Sequence, residues 1–217
     1  MGQKVNPIAF RTGTFLPWQS RSFASNKEYK DYLLEDIKIR ESLMDKLKLA
    51  GIVSVEIERL HNTMVVVLTV ARPGVVIGRG GSGLEDVKKT ILATVSKIRG
   101  VKVKDMKIDL RVQEVKNAEL SAYLVATRIC SEMERRMPHR RVVMRAMDRV
   151  MQSGALGIKI ILAGRIAGAE ISRVEKNHRG SIPTQTLRAN IDYAEVPASL
   201  QRGYVGVKVY IHKKKDD

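Results

Sequence analysis

Cysteine and long apolar segments are scarce in this sequence of 217 residues, and acidic residues are far fewer than basic ones. The single cysteine, Cys130, excludes a disulfide framework and a thiolate-rich zinc site. Apolar runs such as Met64–Leu68 have the length of buried strands and fall far short of the ~18 residues that a membrane-spanning helix needs. No apolar stretch typical of a secretory signal follows Met1, so we expect a protein of the cytoplasm or of an organelle interior.

The sequence has an excess of positive charge. Its 39 basic residues against 23 acidic residues give a formal net charge of +16 at pH 7. Residues 1–115 hold 20 basic and 13 acidic side chains, and residues 116–217 hold 19 and 10, so both halves contribute to the excess. This distribution is typical of a folded surface that meets a polyanion rather than of one basic tail. Nucleic acid is the first candidate for that polyanion, and an anionic membrane is the second.

Hydrophobic periodicity predicts an α+β protein made of an arm and two domains. Residues 1–24 show no period but contain apolar side chains, and they are expected to dock on RNA or protein as an extended arm. Residues 25–115 are expected to form the N-terminal domain, in the order helix, strand, strand, short helix, glycine loop, helix, strand. Residues 116–217 are expected to form a C-terminal domain in which two helices pack on a roughly four-stranded sheet.

The apolar patterns also predict individual faces and strands. The first long helix, over about 25–50, is expected to pack through a stripe of Leu33, Ile37, Met44 and Leu47. The helix that ends at Gln152 is expected to turn six side chains inward: Val142, Val143, Ala146, Met147, Val150 and Met151. The four strands of the C-terminal domain are predicted at Ile158–Leu162, Glu170–Val174, Thr186–Tyr193 and Gly203–Ile211.

A glycine cluster is the first candidate binding site. Gly78, Arg79, Gly80 and Gly81 form a Gly-x-x-Gly turn between two predicted helices, where small residues let a nucleic-acid backbone approach the main-chain amides. Two alternatives remain open at this point. The glycines serve only a tight turn, or Gly78, Gly80 and Gly83 belong to a dinucleotide-binding G-x-G-x-x-G motif. The motif is disfavoured because Pro73-Gly74 interrupts the strand that should run directly into the first glycine.

An arginine cluster is the second candidate site. Residues 135–145 contain five arginines and no acid: Arg135, Arg136, Arg140, Arg141 and Arg145. On the second helix Arg141, Arg145 and Arg149 recur every four residues and form a stripe opposite the apolar face. The planar guanidinium suits phosphate recognition, so we expect this stripe to contact RNA. The alternative is an ordinary solvated face on which Asp148 offsets part of the charge.

The other residues assigned to RNA are basic side chains outside these clusters: Lys4, Arg11, Arg72 and Arg149. Chemistry of other kinds is not expected. The histidines His61, His139, His178 and His212 lack metal-ligand spacing, so no metal and no cofactor is predicted. No serine or cysteine lies in a nucleophile motif, and Cys130 fits a small core residue. We therefore predict no catalytic residues, no small-molecule substrate and no membrane contact.

Five sequence segments closely resemble the bacterial-type ribosomal protein three family of the small subunit: Met1–Pro7, Ala71–Gly78, Gly164–Ile171, Leu187–Tyr193 and Gly203–Val209. They follow the family's order and span nearly the whole chain. The resemblance implies a type II KH domain over roughly 39–115, with helices on a three-stranded sheet, and a family-specific α/β domain after it.

The resemblance also implies a place and partners. It places the protein in the head of the small subunit, on ribosomal RNA, at the mouth of the mRNA channel. Neighbouring small-subunit proteins ten and fourteen would be tight partners, with proteins two, four and five as further candidates. Arg140 and Arg141 fall on two of the three basic positions with which the family helps to melt incoming mRNA helices. Met144 falls on the third, where the family often carries lysine.

Three classes of function thus follow from the sequence. The first is a structural, mRNA-guiding component of the ribosome, and the arm favours it because such arms are ordered by ribosomal RNA or by neighbouring proteins. The second is a KH-domain regulator that acts away from the ribosome. The third, a nucleotide-dependent enzyme, depends on the glycine loop alone.

Overall fold

The computed structural model describes residues 3–60, 63–99 and 106–214, and it divides the chain into two compact units. Residues 18–116 form the N-terminal unit, whereas residues 117 onward form the C-terminal unit together with the arm up to Pro17. Within the described part of the chain, no helix is both long enough and apolar enough to cross a membrane.

The helices and strands are numbered in chain order. The helices are α1 (Pro7–Arg11), α2 (Asn26–Lys46), α3 (Pro73–Ile77), α4 (Ser82–Arg99), α5 (Ala122–Glu134) and α6 (His139–Gln152). The strands are β1 (Ser20–Arg21), β2 (Ile52–Arg59), β3 (Thr63–Val70), β4 (Lys107–Glu114), β5 (Gly157–Gly164), β6 (Arg173–Gly180), β7 (Ile191–Leu200) and β8 (Gly203–His212).

In the N-terminal unit, the helices pack on a sheet with the strand order β1-β2-β3-β4. The three long strands match the predicted three-stranded sheet; β2 and β3 are antiparallel, and β4 lies parallel to β3. The arm adds the two-residue strand β1, which pairs in parallel with β2. Side chains of α4 at helical spacing, Val87, Ile91 and Val95, fill the core beneath the sheet.

The predicted packing face of α2 is wrong at its N-terminal half. Leu33 and Ile37 are 48% and 42% exposed, whereas Ile39 and Leu43 are fully buried. The carboxylates of Glu35 and Asp36 are also buried, because the guanidinium groups of Arg59 and Arg99 pair with them. Since a buried charge is tolerated only when it is paired, the distant arginines allow this face of α2 to turn inward together with Ile39 and Leu43.

The C-terminal unit confirms the predicted arrangement of two helices on a four-stranded sheet. Its strands are antiparallel in the order β6-β5-β8-β7, and α5 and α6 contribute to one core with the sheet. All six predicted inward side chains of α6 join this core, with Met151 only partly buried. Side chains alternate along β5, so Ile158, Ile160 and Leu162 are buried while Lys159 faces away from the core.

Two strands of this sheet begin and end later in the chain than predicted. Strand β6 begins at Arg173, so only the end of the predicted Glu170–Val174 strand belongs to it. Strand β7 begins at Ile191 rather than at Thr186, and it continues through Pro197 to Leu200. Both are edge strands, where charged residues and proline are accommodated because one row of backbone groups has no partner strand.

Candidate nucleic-acid interface

The glycine loop is a single tight turn between two helices. Helix α3 ends at Ile77, one 3-10 turn covers Arg79–Gly81, and α4 follows at once from Ser82. Gly78, Gly80 and Gly81 have φ values of 68°, 62° and 82°, the left-handed region that favours glycine. The Ser82 hydroxyl donates to the carbonyl of Arg79 at 3.0 Å rather than capping the helix.

Gly83 explains why a third glycine follows the loop. A Cβ atom at this position would lie 2.4 Å from the carbonyl oxygen of Val76, so α3 and α4 can approach this closely only without a side chain there. A helix, not a strand, leads into Gly78. The G-x-G-x-x-G spacing therefore reflects helix packing, and the strand–turn–helix context of a dinucleotide site is absent.

The loop faces solvent with positive charge at its tip. The Arg79 side chain is exposed, and no carboxylate among the described residues lies within ion-pairing distance of it. Arg72, at the start of α3, is likewise exposed. Val76 anchors the turn from inside the core. Exposed amides at a helix start, beside two arginines, can bind phosphate.

We predict that the double variant Arg79→Asp, Gly80→Asp loses RNA binding while it keeps the fold. Two carboxylates would stand where phosphate should lie, so affinity for cognate RNA should fall at least ~10-fold. The position of Gly80 has open space for a side chain, although its φ is positive. The matched control is Arg79→Gln, Gly80→Asn, because asparagine tolerates the left-handed region and adds no charge.

The measurements are circular dichroism melting and an RNA titration of both double variants. Equal affinity of the aspartate variant and the control, with native-like melting in both, would show that the loop is only a turn.

The arginine cluster lies on the solvent side of the turn between α5 and α6. Arg135, Arg136, Arg140, Arg141 and Arg145 are all exposed, and none of them forms an ion pair or a side-chain hydrogen bond within the described residues. Asp148 does not offset this charge, because its carboxylate binds the guanidinium of Arg179 on β6. Arg149 is half-buried at the far end of the stripe. The cluster is therefore an uncompensated positive surface.

Arg136 shapes the turn through its backbone. Its amide donates to the carbonyl of Met133 at 2.9 Å, and the amide of Met137 donates to that of Glu132 at 3.2 Å. These two bonds form a Schellman motif, which places Arg136 in the left-handed region with φ of 61°, where glycine is usual. Pro138 then starts α6 in a new direction.

Arg11 is not available to RNA, and its predicted role is wrong. Its side chain is 1% exposed. The guanidinium donates to four backbone carbonyls, those of Pro7, Thr184, Thr186 and Ala189, at 2.8 to 3.1 Å. Arg11 thus fastens the arm to the loop before β7 within the C-terminal unit.

Lys4, by contrast, is exposed on the open face of the C-terminal sheet. Its ammonium group lies beside Lys159 of β5. The pKa of Lys159 is lowered mainly by burial and further by the positive charges of Lys4 and Lys176. Sequence analysis missed Lys159 and Lys176. A single lysine within a strand does not indicate a binding surface until the strand register shows which other lysines lie beside it. The three lysines form a second basic surface of this unit.

Two family models match the chain. A model described as KH domain matches residues 38–120, and a model described as ribosomal protein S3, C-terminal domain, matches residues 129–211. The small ribosomal subunit protein uS3 of Caldicellulosiruptor saccharolyticus is 46% identical over 213 residues, 98% of this chain and 92% of the relative. Those of Finegoldia magna and Hydrogenovibrio crunogenus are 45% and 42% identical over 98% of this chain, and over 84% and 90% of their own length. The chain belongs to the uS3 family.

The uS3 family consists of structural, non-enzymatic proteins of the small ribosomal subunit. Burial raises the pKa of the Cys130 thiol to about 12, so this thiol is not a nucleophile near neutral pH. His139 packs against the carboxylate of Glu175 at 3.2 Å, and His61 lies outside the described residues. Among the residues that the structure describes, no cluster of potential ligands could hold a metal ion.

Proposed function

We propose that this uS3 family member binds ribosomal RNA in the head of the small subunit and guides mRNA at the mouth of its channel. The observation that carries the proposal is the group of five exposed, unpaired arginines at the α5–α6 turn, Arg135, Arg136, Arg140, Arg141 and Arg145. Like charges at this density repel one another, so a polyanion is the partner that stabilises them. The names of the relatives, which are small ribosomal subunit proteins, support RNA as that polyanion.

The two predicted domains then have separate tasks. The domain over residues 25–115 holds RNA backbone at the loop of Gly78–Gly81, with Arg72 beside it. The domain over residues 116–217 presents the arginine cluster to mRNA, and Lys4 with its lysine neighbours contacts ribosomal RNA from the open sheet face. Neighbouring small-subunit proteins ten and fourteen are the proposed protein partners.

An mRNA strand that moves past the cluster must be recognised by contacts that do not depend on its sequence. mRNA must slide past the cluster, so Arg140 and Arg141 should attract phosphates in general rather than read bases. Both side chains point away from the core of Val142, Val143 and Ala146. Their charge can therefore act on RNA while the apolar face of α6 stays packed in the core.

We predict that Arg140→Ala, Arg141→Ala slows translation through a stable mRNA hairpin more than translation of an unstructured message. Fold stability should change by less than ~0.5 kcal/mol, because both side chains are exposed. Met144 is 45% exposed, so Met144→Lys should fit and have the opposite effect. The measurement is the ratio of elongation rates on the two messages.

The matched control is Lys38→Ala, Lys48→Ala, which removes the same charge from exposed lysines of the N-terminal unit. It should leave the ratio unchanged. If the arginine variant slows both messages equally, or fails to assemble into subunits, the cluster anchors ribosomal RNA and the mRNA proposal is wrong.

A further inference from the structure

A pocket of about 550 Å³ opens within the C-terminal unit, beside the arginine cluster. Three segments that are distant in sequence line it: the α5–α6 turn, the 3-10 turn at Ile166–Gly168 and the hairpin between β7 and β8. The second of these belongs to the segment Gly164–Ile171, which sequence analysis singled out but to which no function has been attached. A volume of this size lies in the range of small-ligand sites.

The charged side chains that line the pocket are mainly cationic. Arg136, Arg165 and Arg202 line it, against the single carboxylate of Glu134. One oxygen of that carboxylate accepts from the Ser199 amide at 3.1 Å, so three guanidinium groups share a single negative charge in this lining.

Two of these guanidinium groups are held in place by main-chain carbonyls. Arg165 Nε donates to the carbonyl of Ala169 at 2.9 Å, and Arg202 Nη1 donates to that of Gly168 at 2.8 Å. Both side chains remain exposed, so each presents further N–H groups to solvent. Fixed, uncompensated guanidinium groups are suited to a phosphate.

The remaining lining is apolar. Met137 is exposed at the rim, next to Pro138, and Leu200 lies on the hairpin side. A thioether makes favourable contacts with aromatic rings, and the proline ring beside it adds apolar area that a planar base can cover. The pocket thus pairs an anion site with a surface for an aromatic ring.

Backbone strain is concentrated at the same place. Arg136 and Ala167, with φ of 61° and 56°, are the two non-glycine residues in the left-handed region among those described, and both line the pocket. Left-handed backbone at non-glycine residues is costly and clusters at functional sites. Gly168 has positive φ as well, and a Cβ there would lie 3.3 Å from Arg202 Cδ, so a glycine leaves room for that side chain.

We propose that this pocket binds one unpaired nucleotide of an RNA strand, with its phosphate on Arg165 and Arg202 and its base on Met137 and Pro138. A terminal carboxylate of a protein partner fits less well, because it would occupy the arginines but supply no aromatic ring to cover Met137 and Pro138. The proposal rests on the proposed RNA contact of the neighbouring arginine cluster. Binding in the pocket further requires that the RNA strand is unpaired at this point and that one of its bases leaves the stack of neighbouring bases.

The test uses the full chain with ¹³C-labelled methionine methyl groups and adenosine 5′-monophosphate as the probe. The ring current of a bound adenine should shift the Met137 methyl resonance, whereas Met144, exposed on α6 outside the pocket, serves as the internal reference. Inorganic phosphate should compete with the nucleotide without reproducing this shift. Arg165→Gln, Arg202→Gln should weaken binding by roughly tenfold or more, since hydrogen bonds to a charged group are lost. Arg188→Gln, an exposed arginine outside the pocket, should leave binding unchanged.

Three results would overturn the proposal. The Met137 and Met144 resonances shift equally, the double variant binds as tightly as the parent chain while its other methyl resonances stay native, or N-acetyl-leucine shifts Met137 and the nucleotide does not. The last would identify a protein tail as the occupant. The hairpin ratio of the Arg140, Arg141 variant is measured separately, so failure of the pocket and failure of the mRNA proposal are distinguishable.

Discussion

Arg11→Ala is expected to release the arm from the C-terminal unit and to lower the free energy of unfolding by about 3 kcal/mol. The buried guanidinium donates to four carbonyls, three of which belong to the loop before β7. Removing it takes away the charge-assisted bonds and leaves a cavity under the arm. Arg11→Lys should recover little, because an ammonium group cannot reproduce the planar fork that reaches all four acceptors.

The measurements for Arg11 are urea unfolding and hydrogen exchange of residues 3–17. The amides of Phe10 and Thr12, which bond within α1, should lose protection when the arm detaches. Arg188→Ala is the matched control, since this arginine is exposed on the same loop. Retained protection of the arm in Arg11→Ala would mean that its apolar contacts suffice to hold it.

Arg59→Met is expected to destabilise the N-terminal unit by about 3–5 kcal/mol. The Arg59 side chain, 6% exposed, binds Glu35 Oε2 at 2.7 Å and Asp36 Oδ1 at 2.6 Å. Without Arg59, both carboxylates remain buried, and the one guanidinium group left to pair with them is that of Arg99. It reaches Glu35 but not Asp36. A buried charge without its partner is strongly destabilising, whereas methionine fills much of the lost volume.

The decisive comparison adds Glu35→Gln and Asp36→Asn to Arg59→Met. Neutral amides cost less to bury than carboxylates, so the triple variant should be more stable than the single one in urea unfolding. Arg111→Met, at an exposed ion pair on β4, is the control and should change stability by less than ~0.5 kcal/mol. A triple variant no more stable than Arg59→Met would show that packing, not charge, dominates this cluster.

Features that depend only on residues close together along the chain could be predicted from the sequence. The inward face of α6 follows from helical spacing, and the strands β3, β5 and β8 follow from apolar runs between turns. The glycine loop is equally local, because Pro73 and the glycines determine the backbone on both sides of Arg79. The three strands lie inside their sheets and the apolar face of α6 lies in the core, where burial and local pattern agree.

The bounds of the edge strands and the inward face of α2 could not be predicted in this way. The polar strand β6 and the proline of β7 look like loops until their place at the sheet edge is known. The inward face of α2 depends on Arg59 and Arg99, which are distant in sequence from Glu35. The free energy of burying a carboxylate depends on a partner that no local window contains.

For the basic residues, too, the sequence predicted one property and the structure decided another. Net charge and the run of arginines at 135–145 by themselves indicated a polyanion as partner, because charge density needs no coordinates. Which of the arginines are exposed was decided only by the tertiary structure. It buries Arg11 under four carbonyls, leaves Arg140 in solvent, and brings Arg165 and Arg202 together across a pocket. The physical reason is that exposure and convergence are properties of packing between distant segments, whereas charge is a property of each residue alone.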